Sequence, residues 1–208
     1  KDKKIAINNY EGYVRQVIGW REYSRMLYMV YYKPIKNGNY FGHKGKLNAK
    51  WYDGTTGFEP IDHTIKMAFK YGYLHHILRL MMMSNFMNLC HLHPHQVFQW
   101  MMEFSADSYD WVMTNNVYSM GLFADGGLTM RKPYLSTSNY ILKMSKFKKD
   151  GVWDIGWTRL YHYFLYSKEK ELRKTTMARN LGIWDRKTSK EKAEIKKEAT
   201  EILKFLTD

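Results

Sequence analysis

The stretch from Leu74 to Met83 constrains the fold most, because it is apolar except for two histidines and one arginine. In a helix, His75 and Arg79 lie one turn apart, and His76 lies three residues before Arg79. The leucine, isoleucine and methionine side chains between them then form a stripe that packs against a core. Polar groups held against a core need partners, because burying them unpaired costs free energy. The stretch therefore predicts a helix that presents ligand-binding groups.

Helical spacing of apolar residues recurs along the chain, so we predict a mainly α fold. Pro94 is typical of a first helical position, Asp62 is a plausible helix cap, and Thr188 with Glu191 forms a capping box. Glycines predict loops over residues 33–60 and an irregular stretch over 114–133. The predicted helices are residues 11–31, 61–88 (one or two helices), 93–101, 157–173 and a terminal amphipathic helix at 185–208.

The charge balance predicts a polyanionic partner. The 208 residues include 33 Lys and Arg but only 20 Asp and Glu, which gives a net charge of +13. Nucleic acid is the leading candidate and an anionic membrane surface the second. No apolar stretch is long enough to span a membrane, so we expect no membrane insertion.

The single cysteine, Cys90, lies in an apolar context and is expected to be a small core residue. One cysteine allows no disulfide within the chain, which fits an intracellular, reducing compartment. The chain begins at Lys1 rather than Met, so we expect it to be a processed product or the ordered part of something longer.

Two clusters of polar residues leave alternatives open. His91, His93 and His95 are possible metal ligands, but carboxylates or cysteines at matching spacing are missing, so capping and solvent-facing roles are favoured. Asp107 lies in an aromatic segment, where it either pairs with Arg79 or serves as an ordinary helix cap.

Residues 131–149 contain six cations and no acid, and Tyr134, Tyr140 and Phe147 interleave with them. Basic side chains bind phosphates and aromatic rings stack on bases, so this pattern is typical of nucleic-acid binding. For Lys143 and the lysines after it, a solvated helix face explains the pattern as well. The cations are Arg131, Lys132, Lys143, Lys146, Lys148 and Lys149.

Eight short motifs follow one another along the chain: 11–23 (EGYVRQVIGWREY), 75–81 (HHILRLM), 85–86 (NF), 106–112 (ADSYDWV), 121–127 (GLFADGG), 132–134 (KPY), 140–141 (YI) and 179–181 (RNL). Together, in this order, they resemble the C-terminal FAD-binding half of photolyases and cryptochromes, in particular the prokaryotic branch that repairs (6-4) photoproducts. The resemblance implies an all-helical photolyase/cryptochrome-like FAD-binding domain formed by residues 1–208, with a flexible start at residues 1–10 and without the N-terminal α/β antenna domain.

The resemblance implies light-driven DNA repair, in which reduced FAD passes an electron to a pyrimidine dimer lesion. It also implies a role for each matching residue. Arg79, Asp107 and Asn85 would bind FAD. His76, Tyr134 and Gln16 would act at the lesion. Trp100 and Tyr109 would carry electrons to the flavin or simply be core residues, and Arg131, Lys132, Lys143 and Lys146 would bind DNA.

The chain also departs from the family pattern. In this family, the cysteine ligands of an iron–sulfur cluster are expected near residues 148–154. No cysteine lies there, so we predict that no iron–sulfur cluster is bound. Met113 stands where an acidic residue facing the flavin is expected, Tyr118 replaces a histidine, and Met101 replaces a tyrosine of the electron path. The first flavin-binding helices are also missing, so a separate chain or a preceding segment would complete the fold. The alternative function is a degenerate, non-catalytic homologue that binds nucleic acid or serves as a structural component of a larger assembly.

Overall fold

The computed structural model describes residues 5–207, which form helices joined by loops, without a β-strand in that range. This confirms the mainly α prediction. None of the helices in this range is both long and apolar enough to cross a bilayer. The α-helices are α1 Ile7–Lys36, α2 Lys50–Asp53, α3 Glu59–Tyr71, α4 Asn85–Leu89, α5 Pro94–Phe104, α6 Asp110–Met113, α7 Ser138–Met144, α8 Trp153–Ser167, α9 Glu169–Leu172, α10 Leu181–Asp185 and α11 Ser189–Thr207.

Helix α1 is longer than predicted and differs between its two halves. It continues through Pro34, and the backbone kinks at Tyr31, because proline removes a hydrogen bond one turn earlier. In its outer half, from Ile7 to Tyr23, every residue except Val14 is exposed. The predicted flexible start, residues 1–10, lies partly outside the described residues, and its part from Ile7 onward belongs to α1.

The core is built around aromatic side chains. Phe86 lies 4.7 Å from Trp157 and 4.6 Å from Phe58 between ring centroids. Gly156 permits this packing, because a Cβ atom there would lie 3.1 Å from the Phe58 ring. Helix α8 carries Trp157 and packs on one side against α11. The centre of the molecule is therefore the junction of α4 and α8.

The terminal helix confirms its sequence signal. The Thr188 backbone N–H donates to Glu191 Oε2 at 2.8 Å, and the Glu191 N–H donates back to Thr188 Oγ1 at 3.3 Å. Ile195, Ala199 and Leu206 are buried on one face of α11. The helix begins four residues later than predicted, because residues 181–185 form the separate helix α10, and Asp208 lies outside the described residues.

Two other helix starts differ from the sequence prediction. Asp62 does not cap α3 from outside; it lies in the first turn and accepts hydrogen bonds from the Thr56 and Gly57 N–H groups, so it closes the preceding loop. Helix α8 begins at Trp153, because Asp150 Oδ1 accepts from the Trp153 N–H at 3.0 Å and starts the helix earlier.

Two π-helical segments, Leu78–Ser84 and Thr114–Gly121, pack against each other. Gly121 makes this contact possible, because a Cβ atom there would lie 2.7 Å from Ser84 Oγ. The predicted helix at 61–88 is therefore three elements. Helix α3 ends at Tyr71, Gly72 follows it in a left-handed conformation (φ +62°), and the π-helix and α4 come next. Because π-helical segments are often found at functional sites, the pair indicates a candidate functional region of the protein.

Candidate functional site

Arg79 and Asp107 form an ion pair beside the first π-helical segment, as predicted. The Arg79 Nη2 group donates to Asp107 Oδ1 at 2.6 Å, and Arg79 Nε donates to the Leu74 carbonyl at 2.6 Å. Ser105 Oγ also donates to Asp107 Oδ1. Partial burial raises the pKa of Asp107, but the Ser105 hydroxyl and the Arg79 guanidinium outweigh it, so the pKa lies below its ordinary value.

His76 and Arg79 line one small cavity between the two π-helical segments. The cavity has a volume of about 20 Å³, and Ser84, Met113 and Asn116 are also in its wall. The Asn116 Oδ1 atom is buried without a hydrogen-bond partner within residues 5–207. Part of the His76 ring is exposed, yet neighbouring atoms displace water and lower its pKa, and the charges of Arg79 and His75 add to the effect. His76 is therefore neutral near pH 7.

Met113 packs against the Arg79 guanidinium. Its side chain is 2% exposed, and its Sδ atom lies 4.0 Å from Arg79 Nη1. A thioether is a weak acceptor, so this Nη1 group keeps most of its capacity to donate. The site therefore offers a free donor at Arg79 and a free acceptor at Asn116.

A second region lies around Tyr134, in the extended stretch that follows the irregular loop. Asn85 holds this stretch, because its Nδ2 donates to Ser136 Oγ at 2.8 Å and its Oδ1 accepts from the Ser136 N–H at 3.2 Å. Trp157 Nε1 donates to the Ser136 carbonyl. Both polar atoms of Asn85 are used inside the protein, so its contact with a cofactor stays a prediction.

Tyr134, Arg131 and Lys132 line cavities next to Arg179 and Thr176. The last two residues come from a 3₁₀ turn, Thr176–Asn180, some forty residues further along the chain. The family resemblance covers residues 179–181 but predicts no site role for Arg179, because only the tertiary structure brings the turn to Tyr134. An isolated cation beside an asparagine was the only available signal.

The predicted electron-path residues lie in different surroundings. Trp100 is fully buried, 4.8 Å from the Phe104 ring, and the Arg79 guanidinium carbon lies 5.9 Å from that same ring. Tyr109 is 65% exposed. Phe69, 5.9 Å from Trp100, and Tyr52, 6.0 Å from Phe69, extend the row of rings to the surface, and neither was predicted as a site residue.

The remaining predicted residues lie apart from both cavities. Gln16 is exposed on the outer half of α1. Lys143 is exposed in the last turn of α7, and Lys146 is exposed just after that helix. Their roles stay predictions.

Comparison with known proteins gives a family and three relatives. A family model described as the FAD binding domain of DNA photolyase matches residues 11–189. The uncharacterized protein R855 of Acanthamoeba polyphaga mimivirus is 52% identical over 126 residues, which are 61% of this chain and 100% of R855. The uncharacterized protein R853 of the same virus is 53% identical over 72 residues, which are 35% of this chain and 54% of R853.

The third relative is a (6-4) photolyase of Agrobacterium fabrum. It is 38% identical over 141 residues, which are 68% of this chain. The same match spans only 28% of the length of that photolyase.

Proposed function

The chain belongs to the family of the FAD-binding domain of DNA photolyases, and from this we propose that it works in light-driven DNA repair as part of a photolyase-like flavoprotein. The observation that carries the proposal is that Arg79, which is held by its ion pair with Asp107, lines one cavity together with His76. Each of these side chains supplies a group that a flavin or a lesion needs.

The polar groups of the cavity fit the edge of a flavin ring. Arg79 Nη1 can donate to a ring carbonyl, and the unpaired Asn116 Oδ1 can accept from a ring N–H. Asp107 keeps the guanidinium oriented and balances its charge. When bound, reduced FAD supplies the light-driven electron that splits a pyrimidine dimer lesion.

His76 and Tyr134 would serve the lesion. Because its pKa is lowered, His76 carries one ring proton at neutral pH and can donate a hydrogen bond through it while its other nitrogen accepts a proton. Tyr134 offers a ring face and a hydroxyl, and Gln16 an amide. Arg131, Lys132, Lys143 and Lys146 supply positive charge for DNA phosphates.

We propose that further polypeptide of the photolyase fold completes the flavin site. The cavity of about 20 Å³ holds no more than a water-sized group, so it can enclose only an edge of the ring. The match to the (6-4) photolyase leaves 72% of that protein unmatched, and the outer half of α1 exposes Tyr13, Val17 and Ile18. This apolar face is where that polypeptide, in the same chain or a separate one, would pack.

The visible spectrum of the purified protein tests the flavin. We expect blue-absorbing flavin bands that bleach under illumination with a reductant, and loss of bound flavin in Arg79→Ala. Arg173→Ala is the matched control, because Arg173 is exposed and within residues 5–207 pairs only with Glu169. Unchanged flavin content in Arg79→Ala would refute the assignment of the ion pair.

A specific observation favours a second candidate, a non-catalytic homologue that binds nucleic acid or is a structural component of an assembly. Met113, packed against Arg79, can neither take up nor release a proton. A colourless protein that still binds DNA would establish this candidate. We also propose that no iron–sulfur cluster is bound, since Cys90 is the single cysteine and is fully buried; an iron assay that detects stoichiometric iron would contradict this.

A further inference from the structure

A cavity of about 260 Å³ lies where the loop at residues 42–45 meets the C-terminal ends of α8 and α11. Its wall is formed by that loop together with Cys90, His91, Lys168, Leu203 and Thr207. It shares no lining residue with the cavity between the two π-helical segments or with the cavities around Tyr134. It is therefore a separate site.

Positive charge in this cavity is not balanced. Lys44 and Lys168 line it, no acidic residue within residues 5–207 does, and neither lysine forms an ion pair in that range. Lys168 Nζ donates to the Phe41 carbonyl at 2.6 Å, which leaves two of its three N–H groups for a ligand. Partial burial lowers the pKa of Lys168, and Glu171 opposes this only in part. The cavity therefore favours an anion, which would offset the cost of keeping this ammonium group charged.

His43 adds a hydrogen-bond acceptor to the same wall. Its Nε2 atom lies 2.8 Å from Asn88 Oδ1. Because Asn88 Nδ2 donates to the Leu122 carbonyl, Oδ1 is the accepting atom, and His43 Nε2 must carry the proton. The Nδ1 atom of His43 then has a free lone pair, and within residues 5–207 it is buried without a hydrogen-bond partner, on a side chain that is 2% exposed. A buried acceptor without a partner costs free energy, which points to a ligand that donates.

His91 has the same arrangement of protons. Its Nε2 atom lies 3.3 Å from Ser167 Oγ, and the Ser167 hydroxyl donates to the Phe164 carbonyl at 3.5 Å, so the Ser167 oxygen accepts from Nε2. The Nδ1 atom of His91 is therefore also an acceptor. Burial lowers the pKa of His43 to about 3 and that of His91 to about 2, so both rings are neutral at pH 7. Two lone pairs beside two lysines suit an anion that still carries a proton.

Backbone hydrogen bonds and ring stacking hold the two histidines in place. The His43 and His91 rings stack with their centroids 5.0 Å apart. The Gly45 N–H donates to the His91 carbonyl at 3.0 Å, and the His93 N–H donates to the Gly45 carbonyl at 2.9 Å. A Cβ atom at Gly45 would lie 2.9 Å from the His91 carbonyl oxygen, so glycine permits this contact. The acceptors are thus positioned before a ligand arrives, which lowers the cost of binding.

We propose that this cavity binds hydrogen phosphate. Lys44 and Lys168 donate to its deprotonated oxygens, and its P–OH group donates to Nδ1 of His91, the more exposed of the two histidines. Sulfate has the same shape but carries no proton at neutral pH, so it would leave the histidine acceptors unpaired. A DNA phosphodiester carries no proton either. The site therefore depends neither on DNA nor on the proposed repair function.

Isothermal titration calorimetry of the 208-residue chain at pH 7.5, in a buffer free of phosphate and sulfate, tests the ligand. Inorganic phosphate should bind, and sulfate at the same ionic strength should bind at least about tenfold more weakly, because it cannot donate a hydrogen bond. Methyl phosphate is the second comparison. The second pKa of a phosphate monoester is about 6, so at pH 7.5 it has lost its proton and should also bind more weakly than inorganic phosphate.

Lysine variants test the charges. Lys44→Gln and Lys168→Gln should each weaken phosphate binding by about tenfold, the loss expected for one hydrogen bond between charged groups. Lys44 is exposed, so its substitution keeps the test valid even if loss of the Lys168 bond to Phe41 disturbs the fold. Lys170→Gln is the matched control, because it removes the same charge from an exposed lysine of α9 that does not line the cavity. It should leave the phosphate affinity nearly unchanged.

His91→Asn tests the acceptor. His91 has a left-handed backbone (φ +56°), which asparagine tolerates, and an asparagine amide can donate to an anion as well as accept from it. The preference for phosphate over sulfate should therefore disappear in this variant. Circular dichroism shows whether each variant is folded.

Three results overturn the proposal. They are a parent protein that binds no phosphate, sulfate or methyl phosphate that binds as tightly as inorganic phosphate, and folded Lys44→Gln protein that binds phosphate as well as Lys170→Gln. A preference for phosphate that survives in His91→Asn would contradict the role of that histidine. Because none of these measurements involves flavin, light or DNA, their failure would leave the proposed repair function untouched.

Discussion

Helices α1 and α11 have similar sequence patterns but differ in how far their apolar side chains are buried. Both show apolar residues at helical spacing. In α11 these residues include Ile195 and Leu206, which are buried against the body of the protein. In the outer half of α1, Tyr13 is 71% and Val17 is 50% exposed. The periodicity predicts that a helix face will be covered, but it does not say by what.

The packed body is the rest of the described protein, residues 24–207. The largest expected difference in stability between it and the outer half of α1 comes from substitutions of two tryptophans. Trp157→Ala removes a fully buried ring and its hydrogen bond to Ser136, so it should lower the free energy of unfolding by about 3–5 kcal/mol. Trp20→Ala should cost less than about 1 kcal/mol, because Trp20 is 36% exposed and its ring pairs with Tyr23, a neighbour on its own helix.

Urea unfolding, followed by circular dichroism, measures both values. Equal losses in the two variants would show that the outer half of α1 is packed as tightly as the core and would remove the contrast.

The sequence predicted the packed body better than the site. The capping box at Thr188 and Glu191 and proline at the first position of α5 follow from local hydrogen bonding, which a few neighbouring residues determine. The Arg79–Asp107 pair was predictable because a guanidinium held against a core needs an anionic partner; the Arg79 side chain is 15% exposed. The π-helical segments were not, since they depend on Gly121 fitting against Ser84. Arg179 reaches Tyr134 only through the tertiary fold.

The second difference concerns pH. His43 is 2% exposed, and burial lowers its pKa from 6.5 to about 3, only partly opposed by its hydrogen bond to Asn88. Burial likewise lowers the pKa of His91, which stacks on His43, to about 2. Residues 7–23 contain no histidine. Only the packed body therefore couples its stability to histidine protonation.

The direction follows from the lowered pKa values. Below pH 6.5 the two histidines bind protons in the unfolded chain but stay neutral in the folded protein. The stability that is fully present above pH 6.5 therefore declines as the pH falls toward 3. At pH 5 each of the two histidines should cost about 2 kcal/mol relative to pH 7.5. Urea midpoints at both pH values check this, and His43→Gln should lose less stability between them. The same loss in His43→Gln and in the parent would exclude His43 as the source.

The third difference comes from one substitution made at two glycines. Gly121→Ala should destabilise the protein by about 1–3 kcal/mol, because the new methyl group meets Ser84 between the two π-helical segments. Gly19→Ala in α1 meets no atom within 4 Å and should not reduce stability, since alanine favours a helix by up to about 1 kcal/mol over glycine. Thermal melts of both variants test the opposite signs. A destabilised Gly19→Ala would indicate that something packs closely on that face.

The smallest difference lies at the two helix starts. Thr188→Ala removes the bond from the Glu191 N–H to Thr188 Oγ1 and the bond from the Thr188 hydroxyl to Glu191 Oε2, so unfolding should become easier by about 1 kcal/mol. Ala6 precedes α1 without a side-chain cap, and Ala6→Ser supplies one. If the outer half of α1 opens independently of the body, the new cap changes the helical circular dichroism signal but not the urea midpoint. The midpoint is unaffected because global unfolding then starts from a state in which this half is already open. A midpoint raised by Ala6→Ser as much as Thr188→Ala lowers it would mean that α1 unfolds together with the body. The exposed face of α1 would then be stabilised by the chain itself, without added polypeptide.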